Sequence, residues 1–174
     1  MRNYIERAKD FVKELYPYLM DADSMYDEGD IALAIDCFNS DKSRKVLFRH
    51  GLSRFAFITS DYVVKYDFDE TEINYIGGCE NEMEMYEHAK SEGFGYLFAE
   101  ITPFFYEGRY FYIMPRIHGI NRYEYDYAEE HMTYEERAWC REHHLSDLHS
   151  NNYGFRKGKV CLIDYACRDL FTSY

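Results

Sequence analysis

Proline is scarce in this sequence, with three residues in 174, and no low-complexity stretch or internal repeat accompanies it, so nothing marks a linker or a repeat array. Cysteine is limited to five residues, at 37, 79, 140, 161 and 167, an odd number without a C-x-x-C pair. That count suits neither a disulfide framework nor a cysteine-built zinc site, and the five read as reduced packing residues. No run of 18 apolar residues occurs, which argues against a membrane-spanning helix. The opening MRNYIERAKDFVKEL alternates charge with apolar positions instead of forming an apolar signal core, so a cytoplasmic protein is expected. Nor does any lysine- and arginine-rich run offset the formal net charge of -12, which repels phosphate backbones and anionic lipid heads. Nucleic acid and membrane are therefore not expected partners.

What the chain does have is apolar and aromatic mass. Hydrophobic residues make up 47% and aromatics 19%, with 19 Tyr and 13 Phe, which excludes disorder. A length of 174 residues suits a single compact domain of two lobes at most. Ile5, Ala8, Val12, Leu15 and Leu19 recur at helical spacing and predict an amphipathic docking helix. A short helix over Asp30–Ile35 is expected before a break at Asn39–Ser43. From Lys45 the texture changes to β-branched and aromatic runs, Val46–Phe48, Arg54–Ile58 and Tyr62–Tyr66, separated by Gly51 and Ser60-Asp61. These predict an antiparallel meander. A helix over Glu80–Lys90 follows, then two aromatic strands, Leu97–Phe105 and Arg109–Pro115. Thr133-Tyr134-Glu135-Glu136 has the form of a capping box opening a helix to about His143, with His143-His144 as its end. A hairpin turning at Lys157-Gly158 closes the pattern.

The strongest chemical signal is Ser146-Asp147-Leu148-His149-Ser150-Asn151-Asn152-Tyr153-Gly154, followed by Val160-Cys161-Leu162-Ile163-Asp164. Two carboxylates and an amide flank a tight hairpin. Phosphoryl transfer needs that set: one carboxylate to orient or deprotonate an acceptor hydroxyl, then an Asn and a second carboxylate as hard oxygen ligands for Mg²⁺. Asp147, Asn152 and Asp164 match those roles in order.

Here the chain resembles the protein-kinase-like superfamily, and most closely its aminoglycoside phosphotransferase and choline kinase branch, where the loop reads D-L-H-x-x-N. Asp147-Leu148-His149-Ser150-Asn151-Asn152 has that form. The resemblance implies an α+β, two-lobed fold: an N-terminal antiparallel sheet with one helix over 45–116 and a much reduced helical lobe over 117–174, preceded by a helical extension over 1–44. It further implies that Lys65, in Val63-Val64-Lys65, contacts the phosphates of ATP and that a glutamate of the next helix pairs with it. Glu82 is preferred for that role, with Glu80 and Glu84 as competitors. Gly51, Ser53 and Arg54 stand where the family covers the phosphates, though with one glycine. Met114 and Arg116, in Met114-Pro115-Arg116-Ile117-His118-Gly119, resemble the hinge that holds the adenine edge. His149 in such loops mainly braces the backbone.

Departures are visible as well. Leu145 replaces the histidine often found two residues before the aspartate, and Ala166 the metal-loop glycine. Only ten residues follow Asp164, so no activation segment or substrate-docking helix is expected. Two readings of function follow. One is a small ATP- and Mg²⁺-dependent phosphotransferase whose acceptor, a small molecule or a protein, is unspecified. The other is a pseudokinase-like module that holds nucleotide, or engages a host protein, without catalysis. Short chains of this kind resemble those of bacteria and their phages. The Tyr123-Glu124-Tyr125-Asp126-Tyr127 stretch reads as a surface segment before it reads as an acceptor or modification site.

Overall fold

The computed structural model describes residues 3–22, 27–51, 54–67, 78–118 and 127–165. It is a mixed α+β protein that divides into two compact units, Met1–Asn74 with Thr102–Arg116, and Tyr75–Ile101 with Ile117–Tyr174. No helix among the described residues is long and apolar enough to cross a membrane.

The first unit carries helices α1 (Tyr4–Met20) and α2 (Glu28–Lys42) and strands β1 (Leu47–His50), β2 (Arg54–Ile58), β3 (Tyr62–Asp67), β4 (Thr102–Tyr106) and β5 (Arg109–Pro115). The strands form one antiparallel sheet in the order β1-β2-β3-β5-β4. Phe55, Phe57, Val64, Tyr66, Phe111 and Ile113 line one face by the period of two, and they bury against Ala8, Phe11, Val12, Leu15, Leu19, Ile31, Ile35 and Phe38 of the helices. The amphipathic stripe of α1 thus has its cover. Phe11 belongs to it too, edge-on to Phe38 with ring centroids 5.6 Å apart.

Two expectations are corrected here. The break expected at Asn39–Ser43 is the last turn of α2, which runs to Lys42 and stops at Ser43, at φ 50°. Asn39 is held in that turn because its side chain bonds both backbone groups of Val46, at 2.9 and 2.8 Å. A polar residue that reads as a breaker therefore acts as a clasp to the start of β1. The strand expected from Leu97 begins only at Thr102, because Gly95–Leu97 forms a turn of 3₁₀ helix first.

The second unit holds α3 (Cys79–Ser91), α4 (Tyr134–Glu142) and the hairpin of β6 (Tyr153–Arg156) and β7 (Lys159–Leu162). Thr133 and Glu136 make the capping box that starts α4. Lys157 and Gly158, both at positive φ (54° and 78°), form the two-residue turn between β6 and β7. Arg156 fastens the hairpin to the segment before β4 by donating from Nη2 to the carbonyls of Tyr96 (2.9 Å) and Phe98 (3.0 Å).

Candidate functional site

The residues assigned to nucleotide fall in the first unit. Lys65, on β3, is buried and stands in register with Ala56 of β2 and Tyr112 of β5. Its side chain projects from the sheet face opposite the helices, because Val64 and Tyr66 on either side of it enter the core. Gly51 and Arg54 meet at the β1–β2 turn, where the Gly51 N–H donates to the Arg54 carbonyl at 2.9 Å. Ser53 lies outside the described residues. Met114, on β5, is buried and paired with Val63. Arg116 is fastened to the β2–β3 turn: its backbone N–H donates to the Asp61 carbonyl (2.9 Å) and its Nη1 to the Thr59 carbonyl (2.5 Å).

In the second unit the structure brings Asp147, His149, Asn152 and Asp164 into one hydrogen-bonded loop, with Asn152 at its centre. Asn152 Nδ2 donates to the backbone carbonyl of Asp147 at 2.9 Å. Its own N–H donates to the His149 carbonyl (2.8 Å), and its carbonyl accepts from Ile163 N (2.8 Å) and Asp164 N (3.3 Å). The loop leading to the first carboxylate and the strand end carrying the second are therefore tied through a single buried residue. With Nδ2 engaged, Oδ1 is the atom of Asn152 left to ligate a cation.

The tautomer of His149 follows from its neighbours. The Asn151 N–H donates to Nδ1 at 3.2 Å, so Nδ1 is the acceptor and the neutral ring carries its proton on Nε2. Nε2 lies 3.2 Å from Asp147 Oδ1, within ion-pair distance of that carboxylate. One oxygen of Asp147 thus faces the imidazole, and the other is left to accept from a hydroxyl. His149 is also anchored by an antiparallel bridge to Tyr127. Its ring and backbone thus brace the loop.

Among the three glutamates left open by the sequence, Glu82 is fully buried, while Glu80 and Glu84 are exposed. Its Oε1 accepts the backbone N–H of Tyr165 at 3.2 Å, so a charge on α3 fixes the residue after Asp164. The Tyr165 hydroxyl donates to the Ala99 carbonyl at 2.7 Å. Burial, then the Glu82 charge, pushes its pKa well above the usual tyrosine value, and the hydroxyl stays a donor. The sequence reading missed this anchor because a backbone N–H has no signature in the residue string.

Gly154 shows why the motif ends in glycine. A Cβ there would lie 2.4 Å from the His118 carbonyl oxygen, and the neighbouring Phe155 N–H donates to that same oxygen at 3.3 Å. The chain at Ile117-His118 is thus laid directly on β6. Gly119, Tyr123–Asp126 and Ala166 lie outside the described residues. Comparison of the chain with protein-family models, curated proteins and solved structures gives no match.

Proposed function

We propose that the chain is a small ATP- and Mg²⁺-dependent phosphotransferase of kinase-like, two-lobed build that acts on a hydroxyl-bearing acceptor. The observation that carries this reading is the position of Asn152, bonded on one side to Asp147 and on the other to the backbone of Asp164. The donor set fits the cation: Asn152 Oδ1 and the Asp164 carboxylate are hard oxygen ligands, held on a braced loop. Mg²⁺ bound there would neutralise phosphate oxygens during transfer.

The chain's own residues supply the rest. Asp147, with Oδ1 3.2 Å from His149 Nε2, receives the acceptor's hydroxyl proton at Oδ2 and orients that oxygen for attack. Glu82 keeps the Asp164–Tyr165 backbone in place. Lys65, Gly51, Ser53 and Arg54 are assigned to the phosphates, and the backbone around Met114 and Arg116 to the adenine edge.

The test is a calorimetric titration with ATP, with and without Mg²⁺, on the wild type and on Asp164→Ala, alongside ATP turnover in Asp147→Ala. The reading expects Mg²⁺-dependent binding that is lost in Asp164→Ala. It also expects turnover lost in Asp147→Ala with nucleotide affinity kept. Equal turnover in Asp147→Ala, or binding indifferent to Mg²⁺ and to Asp164, refutes it. Binding without turnover in the wild type would instead identify a non-catalytic nucleotide-binding module.

A further inference from the structure

A second cluster shares no residue with the loop described above. His88 lies in the last turn of α3 and Glu92 caps that helix four residues later, so the two project from one face. His143 caps the end of α4. One ligand atom from each lies within 4.8 Å of the other two. The two Nε2 atoms are 2.9 Å apart, and Glu92 presents Oε1 to His88 Nε2 and Oε2 to His143 Nε2, each at 3.7 Å.

We propose that His88, Glu92 and His143 form a binding site for a divalent transition metal of the zinc class, with water completing the coordination. The spacing suits it. Ligand bonds of about 2.0–2.1 Å in a tetrahedron set neighbouring donor atoms roughly 3.3 Å apart; the two Nε2 atoms lie 2.9 Å apart, each faces one oxygen of Glu92 at 3.7 Å, and one ligand atom from each residue lies within 4.8 Å of the others. Rotation of the Glu92 carboxylate by about an ångström, with a smaller spread of the two imidazoles, would close the site. The donor set of two imidazoles and one carboxylate is the borderline-soft mixture that such metals take, in contrast to the all-oxygen set around Asn152.

The supporting contacts are those that orient metal ligands. His143 Nδ1 donates to the Trp139 carbonyl at 2.9 Å, which leaves Nε2 of the neutral ring as a lone pair facing the cluster. The Trp139 indole N–H donates to Glu92 Oε2 at 2.6 Å, and its ring stacks on His143 with centroids 3.9 Å apart. Without metal, the 2.9 Å approach of the two Nε2 atoms requires a proton between them. A metal takes that proton's place, and the proton passes to His88 Nδ1 or to solvent. All three ligands stand at helix C-termini, where the partial negative charge of the last carbonyls favours a cation. Side-chain exposures of 48% for His88 and 43% for Glu92 leave an entry path and an open position.

Trp139 is the chain's single tryptophan, so its fluorescence reports on the site directly. Protein stripped with EDTA and exchanged into chelator-free buffer is titrated with ZnCl₂, followed by calorimetry and by tryptophan emission. The expected result is one zinc per chain with a saturable emission change. Affinity should fall at least about tenfold in His88→Ala and in Glu92→Gln and stay unchanged in Cys37→Ser, which removes an exposed thiol. Circular dichroism checks that each variant is folded. A readout without mutation uses Cu²⁺ at one equivalent, where electron paramagnetic resonance should show two nitrogen ligands. Absence of saturable zinc binding below millimolar metal, retention of affinity in both His88→Ala and Glu92→Gln, or a copper spectrum without coupling to two nitrogens would each overturn the proposal. The pair would then be two histidines sharing a proton.

Discussion

Replacing Asn152 separates the two roles that the loop gives it. Its Nδ2–H bonds the Asp147 carbonyl at 2.9 Å in a setting where the residue is 7% exposed. Asn152→Ala leaves that carbonyl without its donor, a loss worth about 1–3 kcal/mol for a buried group. The backbone bonds to Ile163 and Asp164 do not depend on the side chain, so the hairpin should survive. Asn152→Asp also removes the donor but keeps an oxygen at the position proposed for the cation. Both variants should therefore lower the urea midpoint, by an amount corresponding to about 1–3 kcal/mol. Their ligand behaviour should differ. Residues that merely support a metal ligand are worth roughly 10–100-fold in affinity, so losing the ligand oxygen in Asn152→Ala should weaken the Mg²⁺-dependent part of ATP binding at least about tenfold. Asn152→Asp should retain most of it. The measurement is ATP titration at several Mg²⁺ concentrations beside urea unfolding of the same preparations. If Asn152→Ala unfolds at the wild-type midpoint and binds ATP·Mg²⁺ as the wild type does, neither role holds. If the two variants weaken Mg²⁺ dependence equally, Oδ1 is not a ligand and the amide serves the loop alone.

Gly154→Ala would place a methyl group 2.4 Å from the His118 carbonyl oxygen, a backbone clash that should cost roughly 2–4 kcal/mol. A thermal or urea midpoint within error of wild type would show that the Ile117-His118 segment can move away. Glu82→Ala removes the acceptor of the Tyr165 N–H and should destabilise by at least about 1–3 kcal/mol, and it should raise hydrogen exchange at Tyr165 first. Unchanged exchange there would count against the anchor. Alkaline pH should destabilise the fold. Burial raises the Cys161 thiol to about 11 and the Cys140 thiol to about 12, so above the ordinary value of 9.0 the unfolded chain loses two protons that the folded one keeps. The folded pKa values being raised, the stabilisation is complete below about pH 9 and is lost as pH climbs, by roughly 2.7 kcal/mol per pH unit until about pH 11. Urea midpoints between about pH 8 and 10 check the slope, and a flat profile would mean that the thiols ionise in place.

Local signals were the legible ones. The stripe in α1, the capping box at Thr133–Glu136 and the turn at Lys157-Gly158 depend on residues within a turn or two of one another. Runs of β-branched and aromatic residues between turn signals announced β2 and β3 for the same reason. Asn39 misled because the same amide that breaks helices can also clasp a neighbouring strand, and the choice depends on where Val46 arrives. For the candidate site, the residue string supplied Asp147, Asn152 and Asp164 as a set with a chemistry in common.

Their arrangement is of another kind. That Asn152 donates to Asp147 and that His149 holds its proton on Nε2 depend on how the loop closes on itself, while the receipt of the Asp164 N–H by the Asn152 carbonyl and the inward turn of Glu82, rather than Glu80 or Glu84, rest on contacts between distant segments. The grouping of His88 and Glu92 with His143 across 55 residues is equally invisible in one dimension. Composition and periodicity choose the elements because local backbone preference and burial act within a few residues. Which side chains then meet depends on packing, where a displacement of an ångström makes or breaks a hydrogen bond.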